Sequence, residues 1–305
     1  MTSPIDFLRM FEERAPVFAK EARRTFEAEP ACFVEFAAPM LDWAEVALGE
    51  GFEDRLIEGY CALVLDINRG QVEYERSGHF LHSSYEAVHD ATYARPEFME
   101  SYHWGVYTTM FVWQHHLALC AFYRDAFLAP LSRQGGSGSI VDLGCGSGLW
   151  HCLALRQLPG WSAVGVDISE TSLSHTRRMT RQVMAGHEIG YAQADATTWL
   201  PEREFDAGIS SFLLEHLEDP AALLGNLCRC LKPGGLAYVS CGLTAAQIDH
   251  IYEFKRESEV VAMAESAGFR VIQTFSSAPS RVLPNRRYLP RSMGLVLQRR
   301  KTELW

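Results

Sequence analysis

The residues best suited to chemistry form a glycine-rich segment, Asp-Leu-Gly-Cys-Gly-Ser-Gly, at residues 142–148. It follows a short apolar run and precedes apolar residues at helical spacing. Glycine at alternate positions lets the backbone turn sharply and lets a ligand approach without a Cβ in the way. The first N–H groups of the following helix lack partners inside the helix and point toward the same place. The segment predicts a ligand-binding loop; the alternative is a tight strand-to-helix turn with no ligand.

The spacing of these glycines excludes two common nucleotide sites. A dinucleotide fingerprint, Gly-x-Gly-x-x-Gly, would need glycine at position 149, which is Leu149. A phosphate-binding P-loop would need a Lys-Ser or Lys-Thr pair, and the segment has none. Two carboxylates favour a different nucleoside ligand, because Asp167 and Asp195 end the next two predicted strands. The first can accept hydrogen bonds from both ribose hydroxyls, and the second can accept one from an adenine amine.

The elements that must position these residues begin near Ser139. Strands alternate with helices from there on and are predicted at 140–143, 163–167, 191–195, 205–211, 236–240, 270–275 and 292–298. This alternation indicates parallel βαβ units. A coil without a helix joins the last two strands, so we expect the last strand to be antiparallel. The predicted fold class is α/β, a Rossmann-like doubly wound sheet of seven strands.

The first 135 residues are predicted to be helical, because apolar residues recur there at intervals of three and four residues. Helices are predicted around 33–43 and 56–67, the latter stopped by Arg69 and Gly70. The apolar and aromatic stretch 98–131 predicts one or two buried helices, in which Gly105 permits a kink or the close approach of a ligand. We therefore expect a helical cap and substrate-binding region at 1–135, and a Rossmann-like domain at 136–305.

Composition narrows the class of partner. The net charge of −10 over 305 residues disfavours binding to nucleic-acid phosphates. No apolar run is long enough to span a membrane, and the N-terminus shows no signal-peptide core. The eight cysteines are scattered through apolar segments and lack the dense spacing of a disulfide framework. We therefore expect them to be reduced thiols. We expect a cytoplasmic protein with no nucleic-acid or membrane partner, and a homodimer through the helical cap is left open.

Taken together, the motifs resemble those of class I S-adenosylmethionine (SAM)-dependent methyltransferases. They occur in order over about residues 137–300, whereas the first 135 residues match only the family's habit of carrying a variable helical cap. The motifs are Val-Asp-Leu-Gly-Cys-Gly-Ser-Gly at 141–148, Gly-Val-Asp-Ile at 165–168, Gln-Ala-Asp-Ala at 193–196, Phe-Asp-Ala at 205–207, Leu-Glu-His-Leu at 214–217, Leu-Lys-Pro-Gly-Gly at 231–235 and Ala-Gly-Phe at 267–269.

The resemblance implies SAM as cofactor and assigns residues to its methionine end. The loop glycines would flank the methionine part, and these are Gly144, Gly146 and Gly148. Asp142 would help to hold its amino group, and Ser211 and Phe212 would lie near the sulfonium.

The resemblance also assigns residues to the nucleoside end of SAM. Asp167 would bind the ribose, and Ile168 would pack on the adenine. Asp195 would contact the adenine amine beside Ala196.

Methyl transfer from a sulfonium depends mostly on position, desolvation and alignment. Aromatic rings near the sulfonium stabilise its charge, so Tyr102 and Tyr107 in the aromatic segment 102–116 are candidate catalytic residues. The alternative for each is a core aromatic residue. His216, after the fourth strand, is a candidate general base for an acceptor that must lose a proton, although in the family pattern it is more often structural.

Three further residues are candidates for the substrate wall: Trp113, His116 and His250. Four further histidines have no assigned role: His79, His82, His89 and His115. A metal site formed by them, with His116 joining, is an open alternative. The predicted site contains no metal.

Three functions remain open at this stage. The leading one is methyl transfer to a small metabolite by in-line SN2 attack, with a partly apolar or aromatic acceptor or a flat amino-acid derivative. Oxygen, nitrogen and carbon acceptors all stay open. The second keeps SAM but lets its α-amine attack its own γ-carbon, which releases methylthioadenosine and a cyclic amino acid. The third is a non-catalytic SAM-fold binding protein.

Overall fold

The computed structural model of the protein describes residues 2–93, 95–281 and 288–301. Helices occupy the chain up to residue 134, as predicted. They are α1 (Pro4–Arg14), α2 (Ala19–Ala28), α3 (Pro30–Leu48), α4 (Phe52–Ser77), α5 (Tyr85–Val88), α6 (Pro96–Val112), α7 (Gln114–Phe122) and α8 (Ala129–Gln134), with π-helical turns at His89–Tyr93 and Tyr123–Leu128.

The rest of the described chain builds a seven-stranded sheet. Its strands are β1 (Ser139–Leu143), β2 (Ser162–Asp167), β3 (Ile189–Gln193), β4 (Phe205–Ser211), β5 (Leu231–Leu243), β6 (Phe269–Ser277) and β7 (Arg291–Arg299). The helices between them are α9 (Leu149–Gln157), α10 (Glu170–Val183), α11 (Pro220–Cys230) and α12 (Glu257–Ser266), with a short 3-10 helix at Leu214–His216. The predicted fold class is confirmed.

The strand order explains where a ligand can bind. The order is β3-β2-β1-β4-β5-β7-β6, and β7 runs antiparallel to both of its neighbours, as expected. Strands β1 and β4 are parallel neighbours although they are not consecutive in the chain. The winding therefore reverses beside β1, and open α/β sheets bind ligands at the carboxyl ends of the strands at such a point. The glycine loop follows β1 directly.

Helix α4 corrects one prediction. We expected Arg69 and Gly70 to end this helix, but it continues to Ser77 and ends at Gly78, whose φ of 80° suits a left-handed cap. A Cβ on Gly70 would lie 3.1 Å from the backbone oxygen of Ala246. Gly70 is therefore a point of close packing between the helix and the segment after β5.

Gly105 has a similar packing role. A Cβ there would lie 2.6 Å from the backbone oxygen of Gly59, so the two glycines let α4 and α6 cross closely. Neither a kink nor the approach of a ligand is needed to explain it. The long aromatic stretch breaks instead at Trp113, whose backbone is extended between α6 and α7 (φ −91°, ψ 126°).

The cap and the sheet share one hydrophobic core. Phe11 and Phe111 of the cap belong to the same buried cluster as Tyr238 and Val296 of the sheet. The hydroxyl of Tyr123 donates to the backbone oxygen of Trp150 at 3.0 Å. The cap is thus packed firmly enough to position side chains over the sheet. Among the described helices, none combines the length and apolarity needed to cross a membrane.

Candidate active site

A cavity of about 1130 Å³ lies between the carboxyl ends of the strands and the cap. Most of the predicted site residues line it. From the sheet side they are Gly144, Gly146, Asp167, Ile168, Asp195, Ala196, Ser211, Phe212, His216 and His250, and from the cap Tyr102, Tyr107, Trp113 and His116. Asp142 and Gly148 are not among the lining residues.

The glycine loop turns tightly against β2. The backbone N–H groups of Gly144 and Cys145 both donate to the oxygen of Val166, at 2.7 and 3.1 Å. Gly146 has a φ of 53°, and a Cβ on it would meet no atom within 4 Å. The loop therefore presents bare backbone to the cavity at Gly146, and a ligand can approach it closely.

Gly148 serves a different purpose. Its φ is 78°, and a Cβ on it would lie 2.6 Å from Cγ2 of Thr176 and 2.9 Å from the ring of His151. This glycine permits the close approach of α9 and α10. Its contribution to a cofactor site is therefore indirect, through the shape of the loop.

We expect Gly148→Ala to lower the free energy of unfolding by about 1–3 kcal/mol, because it adds a side chain to a left-handed residue in a crowded position. Gly146→Ala is the matched control, since it has the same backbone strain but open space around its Cβ. Urea unfolding should show the larger loss for Gly148→Ala. Equal losses would contradict the packing role.

Asp142 lies beneath the loop. Its carboxylate is buried, and Oδ2 lies 2.8 Å from Nδ1 of His151 on α9. Oδ1 has no hydrogen-bond partner among the described residues. The sequence did not single out His151, because a histidine in the first turn of a helix carries no signal of its own. The contact that Asp142 makes here supports the loop, and its predicted role toward a methionine amino group stays a prediction.

Asp167 is positioned at the end of β2 by two backbone groups. Its Oδ2 accepts from the N–H of Gly146, and its Oδ1 accepts from that of Ser169, both at 2.9 Å. Burial raises the pKa of Asp167 to about 6, while these N–H donors act in the opposite direction and the carboxylate of Asp142 adds to the rise. The side chain is thus fixed at the cavity wall and ionised at neutral pH.

The predicted adenine contacts lie next to each other. Asp195 is exposed two residues beyond β3, and its Oδ1 accepts from the N–H and hydroxyl of Thr197 at 2.8 and 2.7 Å. Ile168 is 50% exposed, and Ala196 is buried. The side-chain amide of Asn226, which the sequence analysis missed, donates to the oxygen of Ala196 at 2.8 Å and holds this segment in place.

Phe212 has a left-handed backbone, with a φ of 51°. For a bulky residue this conformation costs about 1–3 kcal/mol and often marks a functional site. It is held by the Phe212 N–H, which donates to the oxygen of Ser240 at 2.9 Å. The hydroxyls of Ser211 and Ser240 lie 2.5 Å apart. The ring of Phe212 lies at the cavity wall, 5.1 Å from that of His116.

The two candidate catalytic tyrosines differ in their surroundings. The hydroxyl of Tyr107 donates to the backbone oxygen of Met40 at 2.8 Å, inside the cap. Tyr102 lies close to the carboxylate of Asp249, and burial together with this charge raises its pKa well above the usual value. Tyr102 is therefore a neutral residue at the cavity wall, whereas the hydroxyl of Tyr107 is engaged in holding the cap together.

Trp113 and the histidines that follow it form an aromatic wall. Trp113 Nε1 donates to the hydroxyl of Tyr60 at 2.9 Å, and its ring stacks on His115. Nδ1 of His116 lies 2.9 Å from Oγ1 of Thr109. Burial lowers the pKa of His115 to about 4 and lowers that of His116 well below its usual value. Both rings are therefore uncharged at neutral pH.

The floor of the cavity, as we call the part formed by the segments after β4 and β5, contains His216 and His250. Their ring centroids lie 4.8 Å apart. Two carboxyl groups join them that the sequence analysis did not select: Glu215 and Asp249, each 1% exposed. Burial raises the pKa of Glu215 to about 7. The signal that could have found this group is the position of Glu215 and His216 after β4 and of Asp249 and His250 after β5, because neighbouring parallel strands end at the same edge.

The other histidines named as an alternative metal site are not gathered. His89 lines the cavity with His115 and His116, but His79 and His82 do not. The described residues that bring three ligand-type side chains together are Glu215, His216 and His250.

Comparison with known proteins agrees with this architecture. Residues 141–239 match a family model described as a methyltransferase domain. A trans-aconitate 2-methyltransferase of Azoarcus sp. (strain BH72) is 31% identical over 142 residues, which are 47% of this chain and 53% of the relative. A ubiquinone biosynthesis O-methyltransferase of Caulobacter vibrioides is 31% identical over 128 residues, which are 39% of this chain and 49% of the relative. The chain thus spans about half the length of the curated relatives that it matches.

Among solved structures, the magnesium protoporphyrin IX methyltransferase of Synechocystis PCC 6803 is 20% identical and has a TM-score of 0.46, with 61% of this chain and 82% of that chain covered. The family model, the matched relatives and the strand order agree on one assignment. Residues 141–239 thus match a methyltransferase domain, which confirms the predicted resemblance to class I SAM-dependent methyltransferases.

Proposed function

We propose that the chain is a methyltransferase that uses SAM to methylate a small molecule. The observation that carries this proposal is a continuous cavity of about 1130 Å³, which is lined both by the glycine loop and by the aromatic wall of the cap. Pockets for one small ligand usually measure about 300–1000 Å³. This cavity exceeds that range, which is consistent with a cofactor and a small acceptor side by side.

The residues at the sheet side fit SAM. Bare backbone at Gly146 leaves space for the methionine part. The ionised carboxylate of Asp167 suits the two ribose hydroxyls, and that of Asp195 suits the adenine amine. SAM, when bound, supplies a methyl group on a positively charged sulfur.

The chain's own contribution to transfer is position and surroundings. Phe212 and Trp113 present aromatic rings at the cavity wall, and such rings stabilise a sulfonium. The neutral imidazoles of His115 and His116 add no positive charge that would repel it. Residues of the cap line one side of the cavity, so an acceptor held there in line with the methyl and sulfur would need little further orientation to react.

The acceptor is proposed to be small and partly apolar or aromatic. The aromatic wall supports this class, and the two relatives named above are named for trans-aconitate and for ubiquinone biosynthesis. The net charge of −10 favours a small molecule over a nucleic acid. Where the acceptor must lose a proton, His216 is the candidate base as long as its ring is not otherwise coordinated, because it lines the cavity beside Glu215.

Incubation of the protein with SAM and a metabolite extract tests this function by mass spectrometry. We expect S-adenosylhomocysteine and a metabolite heavier by one methylene unit. Release of methylthioadenosine with a cyclic amino acid would replace methyl transfer by the intramolecular reaction. Absence of SAM binding in calorimetry would instead favour a non-catalytic binding protein.

A further inference from the structure

The floor of the cavity carries a cluster that methyl transfer alone does not require. Glu215 and His216 belong to the short helix after β4, and His250 follows β5. One ligand atom from each of the three lies within 4.8 Å of the other two. All three residues line the cavity.

The hydrogen bonds of both imidazoles leave the same nitrogen available. Nδ1 of His250 lies 2.7 Å from the backbone oxygen of Ala245, and Nδ1 of His216 lies 3.0 Å from that of Asp249. A carbonyl oxygen can only accept, so these contacts favour the neutral tautomer with the proton on Nδ1 and the lone pair on Nε2. In His216 the hydroxyl of Tyr93 also lies 3.2 Å from Nδ1 and fits this tautomer as a second acceptor. Histidines that bind metals usually have this arrangement, in which the other ring nitrogen donates to a carbonyl or carboxylate.

The carboxylate of Glu215 also has one oxygen in a hydrogen bond and one oxygen without a hydrogen-bond partner. Oε1 of Glu215 accepts from the N–H of Gly242 at 2.8 Å, whereas Oε2 is buried and has no hydrogen-bond partner among the described residues. The carboxylate of Asp249 is also buried, but it has neighbours: Oδ2 lies 3.4 Å from His216 Nδ1, and the hydroxyls of Tyr93 and Tyr102 interact with the carboxylate. Buried oxygens without partners are costly, and a cation at this place would offset that cost.

From these observations we propose that Glu215, His216 and His250 bind a divalent first-row transition-metal ion, with Asp249 orienting His216. Two imidazoles and one carboxylate suit Zn²⁺, Co²⁺, Mn²⁺ or Fe²⁺, whereas Mg²⁺ and Ca²⁺ prefer sites built from oxygen atoms. Three protein ligands leave coordination positions open toward the cavity.

The open positions suggest which acceptor is used, a step that rests on the proposed function. A bound metal ion lowers the pKa of a coordinated hydroxyl and fixes its direction. The acceptor class that this site fits is a small molecule that offers a hydroxyl or carboxylate oxygen to the metal. The group methylated would be that oxygen or an atom adjacent to it.

Titration of the full chain with CoCl₂, in the absence of SAM, tests the metal site by calorimetry and by the visible absorption of Co²⁺. We expect one saturable site for Co²⁺ and for Zn²⁺, and much weaker binding of Mg²⁺. Glu215→Gln and His250→Gln should each weaken Co²⁺ binding at least about tenfold, by comparison with the effect of removing groups around metal sites. His250→Gln keeps an amide that can donate to Ala245.

The matched control is His187→Asn. Its Nδ1 also faces a backbone oxygen, that of Trp161 at 3.1 Å, but it does not line the cavity. Its Co²⁺ affinity should equal that of the unaltered chain. Retained affinity in folded Glu215→Gln and His250→Gln would overturn the proposal.

A substitution could abolish metal binding simply by unfolding the protein, so a second measurement uses the unaltered chain. Zn²⁺ should shift the imidazole NMR signals of His216 and His250 in the unaltered chain. Binding without these shifts, or no binding at all, would also overturn the site. Because SAM is absent from these measurements, their failure leaves the proposed methyl transfer untouched.

Discussion

Asp167→Ala is expected to weaken SAM binding by about 1–3 kcal/mol, roughly a factor of 5 to 150, through loss of charge-assisted hydrogen bonds to the ribose. The effect has a second source. The Asp167 carboxylate also accepts from the N–H of Gly146 at 2.9 Å, so its removal frees the loop that would receive the methionine part. Isothermal titration calorimetry with SAM at pH 7.5 measures the change directly.

Asp206→Ala is the matched control for this charge removal. Asp206 lies at the start of β4, at the opposite edge of the sheet, where it binds Lys232 at 2.6 Å and the N–H of Ser139 at 3.0 Å. Its loss removes one negative charge without touching the cavity, so SAM affinity should stay unchanged. An Asp167→Ala chain that binds SAM as tightly as the original would refute the ribose assignment.

The sheet was predictable from sequence because its signals are local. Each strand is a short apolar run followed by a turn residue, and the coil predicted from the sequence before β7 was enough to predict its direction. The helical cap was harder. Gly70 looks like a helix stop, yet α4 continues through it, because close packing against Ala246 needs a residue without a side chain. Such a contact between distant segments leaves no trace in the local pattern.

Some residues of the candidate site could likewise be identified from local sequence, whereas others could be identified only from the tertiary structure. Asp167 and Asp195 could be found from their position at the carboxyl ends of predicted strands: Asp167 ends β2, and Asp195 follows the end of β3 by two residues. Glu215 and Asp249 were missed because each looks ordinary in sequence, and only the pairing of β4 with β5 brings them together. The glycines Gly146 and Gly148 are alike in sequence, and only the neighbours of their Cβ positions separate a cavity residue from a packing residue.

The affinity for SAM should depend on pH, falling about tenfold for each pH unit below about 6. Burial raises the pKa of Asp167 from 3.8 to about 6, so the carboxylate becomes protonated in the free protein well above the usual range. A neutral carboxyl group forms weaker hydrogen bonds with ribose hydroxyls. Calorimetry between pH 5 and 8 should show nearly constant affinity above pH 7 and weaker binding at pH 5.

The sign of the accompanying stability change follows from the same shift. A carboxyl whose pKa rises on folding contributes stability that is present at low pH and is lost as pH rises from 3.8 to about 6. SAM favours the ionised form and offsets this loss, so the rise in Tm caused by SAM should be larger at pH 7.5 than at pH 5. Asp167→Asn cannot titrate at this position and should bind SAM weakly with a flat profile over this range. If that variant kept the fall below pH 6, a different group would be responsible for it.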